Sequence, residues 1–175
     1  MANFDTALKI TLECEGGLVN EKDDPGGITN YGISLRFLEQ TGLKYDFNHD
    51  GKISEQEIIK LTPEEVSTIY RDEFWNPANL SDVVNQGIAN YLFDICVNNG
   101  HMHMTDMLND ALKKTYDLPS KLEEGWRKDV NCFVLKCNLV NARVAHYKWL
   151  AEMKPRDSKY IEGWLNRAES IRFWE

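Results

Sequence analysis

Glu15 is the residue whose placement could do chemistry. Counting from Phe4 in steps of four, four and three reaches Leu8, Leu12 and Glu15, so a carboxyl falls on the apolar face of an N-terminal helix. Burial disfavours its ionised form, and the partial negative charge at a helix C-terminus disfavours it again. A carboxyl that keeps its proton near neutral pH is what the general acid of a glycoside hydrolase must be. Its counterpart in an inverting enzyme is a group about 6.5–9.5 Å away that orients water across the sugar ring. Asp24, Thr29 and Tyr31, in the turn-rich stretch after the helix, can each supply that group, with Asp23 a weaker candidate of the same kind. Asp24 also precedes Pro25-Gly26, where an aspartate serves an Asx turn equally well.

A second constellation spans Asp46 to Glu57 and fits a calcium loop of the EF-hand type. Asp46, Asn48 and Asp50 offer side-chain oxygens at the first, third and fifth positions, and Gly51 makes the sharp turn at the sixth. Lys52 offers its carbonyl at the seventh, and Glu57 closes the site as the bidentate ligand at the twelfth. A single loop of this kind, with no partner loop, suits a structural Ca2+ that stabilises a connection beside a cleft better than a sensor. His101-Met102-His103 offers two imidazoles but no third ligand at a suitable spacing, and is read as loop or helix-cap chemistry.

Helices must position these groups. Apolar periodicity near 3.6 dominates, and no alternating run is long enough for a central strand. Asn3 caps the first helix, and Gly16-Gly17 is expected to supply the left-handed residue that ends it. Glycine, aspartate and proline then predict turns and a small hairpin before Tyr31. Short helical patterning follows over 34–40. Thr62-Pro63-Glu64-Glu65 starts a helix with a capping box and runs towards Trp75. Val84, Ile88, Tyr91, Leu92 and Ile95 mark another, punctuated by Asn98-Asn99-Gly100. Further helices are expected over about 103–116, 121–153, with a break near Gly125 or Asn131, and 158–173. The expected fold class is mainly α: one domain over 1–175, its halves 1–100 and 101–175, with a small turn or hairpin region after the first helix.

Composition narrows the function classes. The 175 residues carry 20 Lys+Arg against 28 Asp+Glu, a net charge of −8, and no basic cluster, which disfavours nucleic acid as a partner. No apolar run approaches the roughly 20 residues of a membrane span, and the N-terminal residues lack a signal peptide's basic and apolar regions. Synthesis in the cytoplasm, no membrane insertion and a monomeric state are expected. Cys14, Cys96, Cys132 and Cys137 show no paired spacing and read as buried thiols. Met102, Met104 and Met107 read as packing, as do most of the tryptophans, although Trp126, Trp149, Trp164 and Trp174 with Tyr147 and Tyr160 could stack on sugars.

The run Glu15-Gly16-Gly17-Leu18-Val19-Asn20, followed by Asp24-Pro25-Gly26-Gly27-Ile28-Thr29-Asn30-Tyr31-Gly32-Ile33-Ser34, resembles the signature of glycoside hydrolase family 108, the lysozyme-like proteins found as phage endolysins and also labelled secretion activators. The resemblance continues in Ile69 to Trp75, Leu92 to Gly100 and Gly163 to Arg167. It implies a lysozyme-like fold and identifies Glu15 with the family's catalytic glutamate. It also implies a C-terminal half that binds peptidoglycan. The spacing of Glu15, Asp24 and Thr29 is close to the Glu, Asp, Thr pattern of phage-type lysozymes, with Thr29 one residue early. Tyr31, Asn98 and Asn99, at element ends and matching family motif positions, are assigned to the glycan cleft. The calcium loop is not part of the family pattern.

The implied activity is that of an endolysin-like N-acetylmuramidase acting on bacterial peptidoglycan of the cell wall, with a holin as one route of release from the cytoplasm. Two other readings fit the same residues. One is a non-enzymatic calcium-dependent binding or regulatory protein built on a lysozyme-like body. The other is a lytic transglycosylase or chitinase-like enzyme, which keeps the acid but changes the product.

Overall fold

A computed structural model describes residues 1–20, 27–116 and 132–170. The fold is mainly α, with eight α-helices and one two-stranded sheet among the described residues. Helix α1 (Phe4–Cys14) starts where the side chain of Asn3 accepts the Thr6 N–H, and buries Phe4, Ala7, Leu8, Ile10 and Thr11. Its end differs from the glycine cap expected from sequence. Neither Gly16 nor Gly17 is among the positive-φ residues, and Glu15 itself leaves the helix in an extended conformation (φ −87°, ψ 147°). The turn is made by the glutamate, so no left-handed glycine is required.

Strands β1 (Thr29–Asn30) and β2 (Ile33–Ser34) pair antiparallel, with Asn30 opposite Ile33, and Val19 bridges to Thr29. Helix α2 (Leu35–Gln40) follows directly from its Ser34 cap. Helix α3 (Glu55–Lys60), which sequence periodicity did not single out, and α4 (Pro63–Tyr70) both begin with complete capping boxes, built on Ser54 with Glu57 and Thr62 with Glu65. α4 passes into a π-helical segment over Arg71–Trp75, as π-bulges often do near functional sites.

Helix α5 (Gln86–Asn99) is the central rod. Ile88, Ala89, Tyr91, Leu92, Phe93 and Ile95 are fully buried, each large apolar side chain contributing roughly 1.5–3 kcal/mol by leaving water. Phe4 of α1 meets Phe93 and Trp75 edge-on, at 5.8 and 5.5 Å between ring centroids, which fixes α1 against α5. Helices α6 (His101–Tyr116) and α7 (Cys132–Met153) pack on α5 and on each other, and the apolar core runs unbroken from Phe4 to Ala142. A 3-10 segment, Pro155–Tyr160, precedes α8 (Ile161–Ser170), which rests on α7. The Tyr91 hydroxyl donates to the Ala168 carbonyl at 2.8 Å and ties α8 to the central rod.

Two expectations about side chains are corrected. Of the four free cysteines only Cys96 is buried; Cys14 and Cys137 are exposed and Cys132 is intermediate, because those three fall off the inward faces of α1 and α7. Met104 and Met107 pack inside, but Met102, in the first turn of α6, is 70% exposed. Trp126, Trp174, Gly125 and Asn131 lie outside the described residues. No helix among the described residues is long and apolar enough to cross a membrane.

Candidate active site

Glu15 stands where three parts of the chain converge: the end of α1, the hairpin loop and α8. Its Oε1 accepts a hydrogen bond from Arg167 Nη2 at 2.7 Å, and both side chains are mostly buried, 16% and 17% exposed. The other oxygen faces the hairpin. A Cβ placed on Gly32 would lie 2.6 Å from Glu15 Oε2 and 2.8 Å from the Tyr70 hydroxyl oxygen, so the carboxyl, the phenol and the loop backbone are in close register. The Tyr70 hydroxyl donates to the Tyr31 carbonyl at 2.8 Å. Burial pushes the Tyr70 phenol well above its ordinary range, with Glu15 and Asp94 reinforcing and Arg167 opposing, so it remains a neutral donor.

The hairpin owes its shape to Tyr31-Gly32, a two-residue loop in which both residues have positive φ, 51° and 76°. Such loops match the twist of paired strands. Glycine takes this conformation freely, whereas tyrosine does so at a cost and persists only because its surroundings fix it. Two contacts do so here: the Tyr70 hydroxyl on the Tyr31 carbonyl, and buried Asn30, whose Nδ2 donates to the Ile58 carbonyl of α3 at 3.0 Å. Thr29 lies in β1 with its backbone paired to Val19, and its hydroxyl donates to the Gly27 carbonyl at 3.2 Å.

Behind Glu15 a chain of charges runs into the core. Arg167 grips Asp94 through both Nη2 (2.7 Å to Oδ1) and Nε (3.1 Å to Oδ1). Asp94 and Arg143 are wholly buried, and Arg143 Nη2 lies 2.7 Å from Asp94 Oδ2. Arg143 Nε donates to the Tyr147 hydroxyl at 3.0 Å, which donates to Asn99 Oδ1 at 3.2 Å. Burial works against the charged form of both arginines, but the carboxylates beside them more than offset it and hold both guanidinium groups above their ordinary range. Two carboxylates and two guanidinium groups thus balance in a site that water scarcely reaches.

The acidic loop stands apart from Glu15. One carboxylate oxygen from each of Asp46, Asp50 and Glu57 lies within 4.8 Å of the others. Asp46 accepts the backbone N–H groups of Gly51 at 2.9 Å and Asp50 at 3.2 Å, and Asn48 Oδ1 accepts that of Asp50 at 2.8 Å. Asn48 Nδ2 donates to Glu57 Oε1. Burial raises the pKa of Glu57, but its hydrogen bonds from the Ser54 hydroxyl and N–H outweigh that and hold it below the usual carboxylate range. The donor set, three carboxylates and an amide around a left-handed Gly51 (φ 83°), fits a hard divalent cation with oxygen ligands.

Of the residues expected in the site, Glu15 and Tyr31 are brought together across Gly32. Thr29 is in the same hairpin, and Asn99 joins Glu15 through the chain Tyr147, Arg143, Asp94 and Arg167. Asn98, exposed at the end of α5, turns back to its own helix, donating to the Asp94 carbonyl at 2.8 Å. Asp24 and Asp23 lie outside the described residues. His103 packs on His146 with ring centroids 4.9 Å apart. Sequence reasoning missed the roles of Tyr70, Asp94, Arg143 and Arg167. A signal existed for two of them: Asp94 interrupts the apolar run Tyr91-Leu92-Phe93 and Ile95-Cys96, and Arg143 follows Leu139 and Ala142, so each charge falls on an inward face and demands a partner.

Comparison with known proteins bears on the family and the fold. Residues 8–100, more than half of the chain, match the glycosyl hydrolase 108 family. Among solved structures the chain is similar to SagA of Brucella abortus, with a TM-score of 0.69 and 25% sequence identity, the match covering 96% of this chain and 90% of that one. No curated protein sequence matches.

Proposed function

Since the chain belongs to glycosyl hydrolase family 108, we propose that it hydrolyses the β-1,4 glycan strands of bacterial peptidoglycan as an N-acetylmuramidase, with Glu15 as the general acid. The observation that carries this reading is the position of Glu15: a carboxyl held on one oxygen by Arg167, with its second oxygen at the exposed Gly32 of the hairpin. In the reaction Glu15 gives its proton to the glycosidic oxygen as the bond to the anomeric carbon breaks. Water adds to that carbon and gives up a proton, which a carboxylate such as Asp24 can accept, while a hydroxyl can only orient the water. Asp24, Thr29 and Tyr31 remain the candidates for orienting that water, with Tyr31, Asn98 and Asn99 as contacts for the sugar.

The test is Glu15→Gln on purified peptidoglycan, with new chain ends identified by mass spectrometry. The amide keeps the shape but has no proton to give, and general acid catalysis contributes about 10²–10⁴-fold. Lysis should vanish with the melting temperature little changed, and a variant retaining a tenth of wild-type activity would remove Glu15 from the acid role. Reducing N-acetylmuramic acid ends identify a muramidase. Anhydro ends would identify a lytic transglycosylase, and a wall-binding protein that releases nothing would be non-enzymatic.

Calcium belongs to the same proposal. Asp46, Asn48, Asp50, the Lys52 carbonyl and Glu57 would hold Ca2+, which relieves the mutual repulsion of the three carboxylates. Its expected role is to stabilise the loop and α3 rather than to take part in bond cleavage.

A further inference from the structure

We propose that Arg167, anchored by Asp94, is the positioning residue of the Glu15 acid, and that it reserves Oε2 as the oxygen that carries the catalytic proton. The inference rests on the reading of Glu15 as the acid and adds to it a residue that lies outside the matched family segment, 152 positions further along the chain.

The geometry makes Asp94, not Glu15, the anchor of the guanidinium. Arg167 meets the wholly buried Asp94 through two nitrogens and spares only one arm of Nη2 for Glu15. A cation donating to Oε1 makes that oxygen a poor place for a proton. Oε2 is left for it, on the side of Gly32 and the hairpin. A carboxyl clamped in this way presents one oxygen at one angle, and the proton does not have to be found by rotation about the side-chain bonds.

The charge count supports the same role. Around Glu15 among the described residues stand Tyr70 from α4, Arg167 from α8 and Cys14 at the end of its own helix; Asp94 from α5 lies behind Arg167, and Arg143 from α7 behind Asp94. At the hairpin Tyr31 and Gly32 bring no charge. Asp94 is shared by two arginines, so the four groups sum to zero with Glu15 ionised and to +1 with it protonated. Asp94 thereby takes up most of the guanidinium's hydrogen-bonding capacity and leaves one arm for Glu15. It also makes the pair testable, because removing Arg167 leaves the wholly buried Asp94 still paired with Arg143 at 2.7 Å. Helix α8 retains the Tyr91 bond to Ala168 and the stacking of Trp164 on Tyr147, 5.5 Å between ring centroids.

The experiment compares wild type, Arg167→Gln and Arg167→Lys in two measurements. The first follows the side-chain carboxyl carbon of 13C-labelled Glu15 through a pH titration by NMR, assigned with Glu15→Gln. The second takes kcat and KM against pH on soluble glycan strands. Arg167→Gln should raise the Glu15 midpoint by about one pH unit or more, move the alkaline limb of activity upward with it, and lower kcat by about 10- to 100-fold while KM stays within about twofold. Arg167→Lys should restore the midpoint but not the rate, since an ammonium supplies the charge without the fork. An unmoved midpoint overturns the proposal, as does an equal loss of activity at every pH with the limb in place. Should Arg167→Gln melt too low to assay, Arg167→Lys decides alone: wild-type kcat in that variant overturns the positioning role. A shifted midpoint in a protein that releases nothing from peptidoglycan supports the pairing and counts against the muramidase reading.

Discussion

At Gly32 two demands meet. The backbone there has φ 76°, and the space a Cβ would need is held by the carboxyl of Glu15 and the hydroxyl of Tyr70. Both neighbours are anchored elsewhere, Glu15 by Arg167 and Tyr70 by the Tyr31 carbonyl, so neither yields cheaply. Gly32→Ala should therefore lower stability by about 1–3 kcal/mol and cost more in activity than in folding, because relief of the contact moves the acid. Thermal melting and kcat on soluble glycan strands check this; unchanged kcat would mean that the hairpin does not set the Glu15 geometry. Glu15 was singled out because a charge where an apolar helical face would continue breaks a periodic pattern, although the helix ends at Cys14 and the carboxyl is held just beyond it. Arg167 stood in a run that resembles the family, but its role was not legible: its partners lie 152 and 73 residues away, and nothing in the spacing of α8 points towards them.

Elements with local signals were mostly legible, with α3 the exception: its Ser54–Glu57 capping box is local but lies inside the acidic loop and was read as metal-ligand chemistry alone. The Thr62 capping box is contained within four residues, and the structure has it. The end of α1 was assigned to Gly16-Gly17 because glycine is the commonest helix stop; the chain instead turns at Glu15, drawn to its partner on α8. The acidic loop is also local, and its link to the site is α3: Glu57 opens that helix, and the Ile58 carbonyl holds Asn30 beside the Tyr31-Gly32 turn. Calcium should therefore raise the melting temperature. With Kd on the order of 10⁻⁵ to 10⁻³ M, 1 mM calcium adds about 0.4–3 kcal/mol, or up to roughly 10 °C for a chain of this size. Glu57→Gln should abolish the response, and magnesium should give little of it, because it prefers a smaller octahedral shell. Melting curves with chelator and with calcium are the measurement, and a wild-type midpoint that does not move would sink the calcium assignment. A shift without a change in lysis would confine the ion to stability.

The whole molecule carries a net charge of −8, and the wall it is proposed to act on is itself usually anionic. Long-range attraction cannot supply its affinity. Added salt screens repulsion between like charges, so moderate salt at constant calcium should leave the rate on purified walls unchanged or raise it. Strong inhibition would show that a local basic patch governs binding.

The contact between Glu15 and Arg167 also fixes an order of events during synthesis. The acid leaves the ribosome early, and its guanidinium leaves 152 residues later. Closing a loop of that length costs on the order of 4 kcal/mol in chain entropy, more than a mostly buried ion pair returns once its own desolvation is counted. The packing of the intervening helices and the docking of α8 through Tyr91, Tyr147 and Trp164 meet that cost. A nascent chain carrying the entire family segment would hold its carboxyl unclamped until α8 has folded onto it, so the acid reaches its working geometry only after the rest of the described core has formed.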